Sequence, residues 1–142
     1  MRNGLTLPEI VLVLAIVGTA SAVALPRGRH VLDWIAADRA ARQVTVALAI
    51  ARHAAVMQAT RARLIITSDS LRIERSGERG WELWWRGPGP RELGVALEVS
   101  NPTVEFGPTG AGWGVSNTSV VLRRGSQVET ITVSRVGRVK RW

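Results

Sequence analysis

Residues 4–25 read GLTLPEIVLVLAIVGTASAVAL, and how this stretch is understood decides the rest of the chain. From Leu5 to Leu25 only Glu9 carries a charge. At about 1.5 Å of rise per residue such a helix is about 31 Å long, enough to cross the hydrocarbon core of a bilayer. Arg2 precedes it, and Arg27-Gly28-Arg29 follow it. Ala22-Val23-Ala24 has the small residues of a signal-peptidase site, but a carboxylate in the apolar region and Pro26 just beyond the cut both oppose that reading. An ordinary membrane anchor accounts for length and flanks and leaves Glu9 unexplained. A charge inside an apolar span points to function.

Outward from this stretch the period stays helical to about Ala62. Ala37, Ala40, Ala41, Val44, Ala47, Leu48, Ala51, Ala54 and Ala55 fall on one stripe at i, i+3, i+4 spacing, with Arg39, Arg42 and Arg52 outside it. From Arg63 the period becomes two. Candidate strands are 63–67, 71–74, 81–86, 95–99, 103–106, 119–123, 128–134 and Arg138–Lys140, separated by Gly-, Pro-, Asn- and Ser-rich turns. With no helical pattern left between the strands, the expected fold class is α+β: one long N-terminal helix, its first half transmembrane, packed on an antiparallel β domain.

The segment Gly4-Leu5-Thr6-Leu7-Pro8-Glu9, followed by the run from Ile10 to Gly18, resembles the prepilin signature. The resemblance implies that a prepilin peptidase cuts after Gly4, that Leu5 becomes the N-methylated amino terminus, and that Glu9 serves assembly. A buried carboxylate can pair with a neighbouring subunit's terminal amine, so both charges are compensated only in the filament. Two positions depart from the usual pattern: Leu5 stands where phenylalanine is common, and Pro8 where Ile or Val is. Pro8 in the first turn loses little, since its N–H would be unpaired there anyway. Pro26 matches a proline often found at the membrane exit and is expected to bend or loosen the helix.

The body resembles the GspH/FimT branch of the pilin superfamily. The matching stretches are Arg52-His53-Ala54-Ala55-Val56-Met57, Trp81-Glu82-Leu83-Trp84-Trp85, Val104-Glu105-Phe106-Gly107-Pro108-Thr109-Gly110, and the closing run from Ile131 to Val139. The implied organisation is a leader over 1–4, a transmembrane and assembly helix over 5–25, an amphipathic continuation over 26–62, and a type IV pilin-like β domain over 63–142. The implied function is a minor pseudopilin of type II protein secretion, with other pilins or pseudopilins, the prepilin peptidase and the inner membrane as partners. The implied location is the bacterial inner membrane, crossed once, with the C-terminal domain in the periplasm. The alternative is a FimT-like minor pilin of the type IV pilus.

That alternative rests on charge. Residues 1–63 hold eight basic and three acidic side chains, 64–105 five and seven, and 106–142 six and one. A basic end attracts polyanions or anionic head groups, and equally keeps a domain soluble. In Gly137-Arg138-Val139-Lys140-Arg141 alternation puts Arg138 and Lys140 on one face, with Arg141 free to reach around a frayed end. FimT-type minor pilins that bind DNA carry a similar glycine followed by alternating basic residues. Arg138, Lys140 and Arg141 are therefore the candidate DNA contacts, with Arg135 nearby but outside the pattern.

Enzyme chemistry finds little support. The carboxylates are scattered, no cysteine is present, and no Ser/His/Asp arrangement appears. Gly107-Pro108-Thr109-Gly110-Ala111-Gly112 lacks the Gly-Lys-Ser/Thr ending of a phosphate loop and reads as a turn. His30 and His53 have no second ligand at a metal spacing, so neither a metal nor a cofactor is expected. Alternation puts Trp81, Leu83 and Trp85 on one strand face and Trp84 on the other. Each tryptophan is expected in the core or partly buried, and any left outside would be a partner contact.

Overall fold

The computed structural model describes residues 6–142, and the side chains of all of these except 24–27. Helix α1 runs Leu7–Met57 and is helical on both sides of Pro26. Eight strands follow: β1 (Ala62–Ile66), β2 (Ser70–Gly77), β3 (Gly80–Pro88), β4 (Ala96–Val99), β5 (Thr103–Phe106), β6 (Thr118–Arg124), β7 (Gln127–Val133) and β8 (Val139–Arg141). A single 3-10 turn, Pro90–Leu93, connects β3 to β4. The chain divides after Leu32 into two units. In the first, the large apolar side chains of Leu7 to Val23 are exposed around the whole helix.

The second unit, Asp33–Trp142, is compact. Its strands form two four-stranded antiparallel sheets, ordered β3-β2-β1-β5 and β4-β6-β7-β8. Every member of the predicted helical stripe from Ala37 to Ala55 is buried. Small side chains let the backbone of α1 come close, and Val44 and Leu48 interleave with alternate residues of both sheets. These are Leu64, Ile66, Ile73, Val104 and Phe106 from the first sheet, and Val120, Leu122, Ile131 and Val133 from the second, all in one hydrophobic cluster. The α+β expectation and the two periods therefore hold: 3.6 turns the stripe inward, and 2.0 sends every second strand residue to meet it.

The helix stops at Met57, short of the expected Ala62, because the chain turns left-handed at Ala59 (φ 48°). The Thr60 N–H reaches the Ala55 carbonyl at 3.1 Å and the Ala59 N–H the Val56 carbonyl at 3.2 Å, which is the paired bonding of a Schellman cap. Ala62 is thereby released to open β1.

The tryptophan pattern also departs from simple alternation. Ile73 pairs with Trp85 and Glu74 with Leu83, so Trp84 is an extra residue, a β-bulge. The bulge reverses the phase. Trp85 faces the core with Ile73, whereas Trp81 and Leu83 oppose Ser76 and Glu74 on the outer face. Of the six tryptophans, only Trp81 and Trp85 are half-buried; Trp34, Trp84, Trp113 and Trp142 are exposed.

The last strand is displaced by one residue from the expected Arg138–Lys140. A tight turn consumes Arg138: the Ser134 N–H bonds the Arg138 carbonyl at 2.9 Å, and the Gly137 N–H bonds the Ser134 carbonyl at 2.8 Å. Gly137 sits at φ +77°, and a side chain there would press on the Gly110 carbonyl.

Candidate functional sites on the apolar helix and the C-terminal edge

The first site lies at the start of α1. Thr6 precedes the helix, and both its backbone N–H and its hydroxyl donate to the Glu9 Oε2, each at 2.8 Å. Thr-x-x-Glu is the capping-box spacing, in which the third helical residue reaches back to the residue before the helix. That signal is present in the sequence and went unused in reading Glu9. Further along, the Thr19 hydroxyl donates to the Ala15 and Ile16 carbonyls, so it leaves no open polar group. An 18-residue window of α1 has a mean hydropathy of 2.1 with none of it buried, which is long and apolar enough to cross a membrane. Gly4 and Leu5, the predicted processing residues, lie outside the described residues.

The second site is the C-terminal edge, where the four basic residues meet different fates. Arg135, Arg138 and Lys140 line a hollow of about 510 Å³ together with Asn117, Thr132 and Ser134. The Lys140 ammonium lies 3.3 Å from the centre of the Trp142 ring, a cation–π contact. Arg138, from the turn, and Lys140, from β8, thus line one hollow, and Arg135 joins them.

Arg141 is not free. With Val139 it points inward from β8, donating to Asp38 on α1 and, at 2.9 Å from Nε, to Glu129 on β7. Asp38 also accepts from Arg42, one helical turn on, at 2.8 Å. The Arg141 guanidinium first, and Arg42 second, hold the Asp38 carboxyl below the usual carboxylate range. Hydrogen bonds to Glu129 and Asp38 in turn raise Arg141 above the ordinary arginine value. The last strand is short, yet this clamp ties it to α1, and the expected frayed end does not form.

A second arginine, Arg124, makes a similar clamp. It donates from Nε to Asp33 at 3.0 Å and also to the Leu93 carbonyl.

The outer face of the first sheet carries a ladder that the sequence reading missed. The Arg63 guanidinium lies 4.2 Å from the Trp81 ring centre, and Arg61 stands between Trp81 (5.6 Å) and Trp113 (5.7 Å). Arg63 also pairs with Glu74 at 2.6 Å and Arg61 with Glu105 at 3.2 Å. Both cations are neutralised on the spot, so the ladder makes a stiff outer face and leaves no net charge from these pairs. The Gly107–Gly112 segment is a turn, with the Gly110 N–H bonded to the Gly107 carbonyl at 2.8 Å. No group of three potential metal ligands occurs among the described residues.

By sequence the chain matches no family model and no curated protein. Its fold does have solved counterparts. The type IV minor pilin FimU of Pseudomonas aeruginosa superposes with a TM-score of 0.62 at 16% identity, over 72% of this chain and 85% of that one. The minor pseudopilin EpsH from the type 2 secretion system of Vibrio cholerae superposes with a TM-score of 0.61 at 13% identity, over 75% of this chain and 95% of that one. At such identities the likeness shows the fold: a type IV pilin-like α+β fold, with a long helix on antiparallel sheets.

Proposed function

We propose that this chain is a pilin-like structural subunit, cut after Gly4, N-methylated at Leu5 and anchored by residues 5–25 until it enters a filament. The finer assignment is a minor pseudopilin of a type II secretion system, held once across the bacterial inner membrane with the Asp33–Trp142 unit in the periplasm. The carrying observation is the start of α1: an apolar helix, exposed on every side, that bears one carboxylate engaged, among the described residues, by Thr6. The fold shared with FimU and EpsH supports the same reading, since those two proteins are a minor pilin and a minor pseudopilin.

The chemistry runs in two stages. In the lone chain the Thr6 donors lower the cost of a carboxylate in lipid. In a helix bundle the terminal amine of a neighbouring subunit offers Glu9 a full positive charge, so assembly exchanges two local hydrogen bonds for an ion pair in a dry interior. The apolar side chains of Leu7 to Val23 leave lipid for other helices at the same time.

The test replaces Gly4 and Glu9 separately by alanine in cells carrying the machine. Gly4→Ala should leave the precursor uncut on a mass scale. Glu9→Ala should be cut and remain in the membrane without entering filaments. Normal cutting and assembly of both variants would refute the proposal.

The hollow formed by Arg135, Arg138 and Lys140 favours a second reading, a FimT-like minor pilin that captures DNA. The buried core begins at Ala36, so a fragment of residues 29–142 keeps all of it and is fit for titration with duplex DNA. Binding should weaken steeply between low and high salt and disappear in Arg138→Ala plus Lys140→Ala. Absence of binding at low salt removes this reading.

A further inference from the structure

A cleft of about 410 Å³ opens between α1 and the turn leading into β8. Its helical wall is Thr45, Leu48, Ala49 and Arg52, positions i, i+3, i+4 and i+7 that share one face. Phe106 from β5 lies opposite, with Val136 and Val139 at the other wall. Leu48 and Phe106 are fully buried beneath it, so the apolar surface it offers is that of Ala49, Val136 and Val139. Volume and lining fall in the range of small-molecule sites.

The polar side chains lining this cleft are Thr45, Arg52 and Arg138. The Thr45 hydroxyl is already committed to the Ala41 carbonyl at 2.8 Å. Arg52 and Arg138 also line it, both exposed, and neither guanidinium has an acidic partner among the described residues. The half-buried Arg124 and Arg141, by contrast, are both paired with carboxylates.

The complement of an aliphatic slot with two unpaired guanidiniums is an alkyl chain ending in an anion. A peptide segment fits less well: the guanidiniums could serve its C=O groups, but the lining has no carboxylate or amide side chain to accept from its N–H groups. A polyanion such as DNA would gain nothing from Ala49, Val136 or Val139.

We propose that this cleft binds a fatty carboxylate, with the alkyl chain against Ala49, Val136 and Val139 and the carboxylate at Arg52 and Arg138. The bidentate geometry of guanidinium and carboxylate suits that end, and burial of methylenes supplies the affinity. This site is independent of the filament reading and differs from the neighbouring cationic hollow, with which it shares only Arg138.

The experiment titrates sodium decanoate, below its micelle concentration, into the ¹⁵N-labelled 29–142 fragment. Saturable amide shifts are expected at Ala49, Gly137 and Val139. Shortening the acid to octanoate should weaken binding roughly tenfold, the effect of two methylenes. Decanol should bind at least tenfold more weakly than decanoate, as should decanoate to Arg52→Ala plus Arg138→Ala. Ala49 is exposed, so Ala49→Trp fills the cleft without disturbing the core, and it should abolish the shifts while keeping the thermal transition. Arg135→Ala plus Lys140→Ala should bind decanoate as the wild type does. Shifts that do not saturate, that survive Ala49→Trp, or that vanish with Arg135 and Lys140 would overturn the assignment.

Discussion

Replacing Arg141 by methionine keeps the length and apolar stem of the side chain and removes its two charge-assisted hydrogen bonds, to Asp38 and Glu129. The side chains are 31% exposed for Arg141, 15% for Asp38 and 16% for Glu129, so the clamp is neither a surface pair nor a dry one. Surface pairs contribute about 0–1 kcal/mol, and breaking a fully buried pair costs about 3–5 kcal/mol. The loss expected for Arg141→Met is therefore about 2 kcal/mol, in line with hydrogen bonds to charged groups. For a domain of this size that lowers Tm by roughly 6–10 °C.

The pH dependence of the same variant has a definite sign. Asp38 titrates lower in the folded chain than in the unfolded one, so its contribution is complete above the ordinary carboxylate range and is lost as pH falls from there through the lowered folded value. In Arg141→Met, Asp38 keeps only Arg42, and less stability remains to be lost. The gap between wild type and variant should narrow on acidification below about pH 4. Urea unfolding of the 29–142 fragment at pH 7 and at pH 3 measures both effects, with Arg138→Ala as a control expected within about 0.5 kcal/mol of wild type. A variant as stable as wild type, with an unchanged pH slope, would show that the clamp has no net worth. Weaker DNA binding without any loss of stability would show Arg141 to be a free cation after all.

Two further changes test the backbone readings. Ala59→Gly relieves a left-handed residue at the helix cap and should stabilise the fragment by about 0.5–1 kcal/mol, the relief being partly offset by the freedom glycine gains when unfolded; a lower urea midpoint would contradict the cap. Deletion of Trp84 should keep the register, because Leu83 and Trp85 already pair with adjacent residues of β2. It should cost less than Trp85→Ala, which opens a gap against the core worth about 2–3 kcal/mol. A deletion variant that no longer unfolds cooperatively would refute the bulge assignment.

The elements of this fold were legible because their signals are local. A 3.6-residue period brought nine apolar side chains from Ala37 to Ala55 onto one face, and all nine are buried. Turn residues separated eight strands in the right order, with ends off by up to three residues. The misses begin where a period is interrupted without a composition signal. Nothing in Trp81-Glu82-Leu83-Trp84-Trp85 marks the bulge, since any of several residues could be the extra one, and its place depends on how Ile73 and Glu74 of β2 are held. The left-handed turn at Ala59 is hidden for the same reason, because alanine gives no sign of a positive φ.

The candidate sites divide along the same line. Glu9, five positions after Gly4 in an apolar run, could be read from the chain alone, and so could its Thr6 partner, because the two are one helical turn apart. The basic run from Arg135 to Arg141 could be read only as charge. Whether each cation stays open to a ligand depends on acids brought from elsewhere: Arg141 finds Asp38 across 103 positions of sequence, while Arg138 and Lys140 find none among the described residues. Spacing along a chain sets which way a side chain faces, because helix and strand repeats are short. It does not set what lies opposite, and an arginine becomes a clamp or a binding group only when packing has chosen its neighbour.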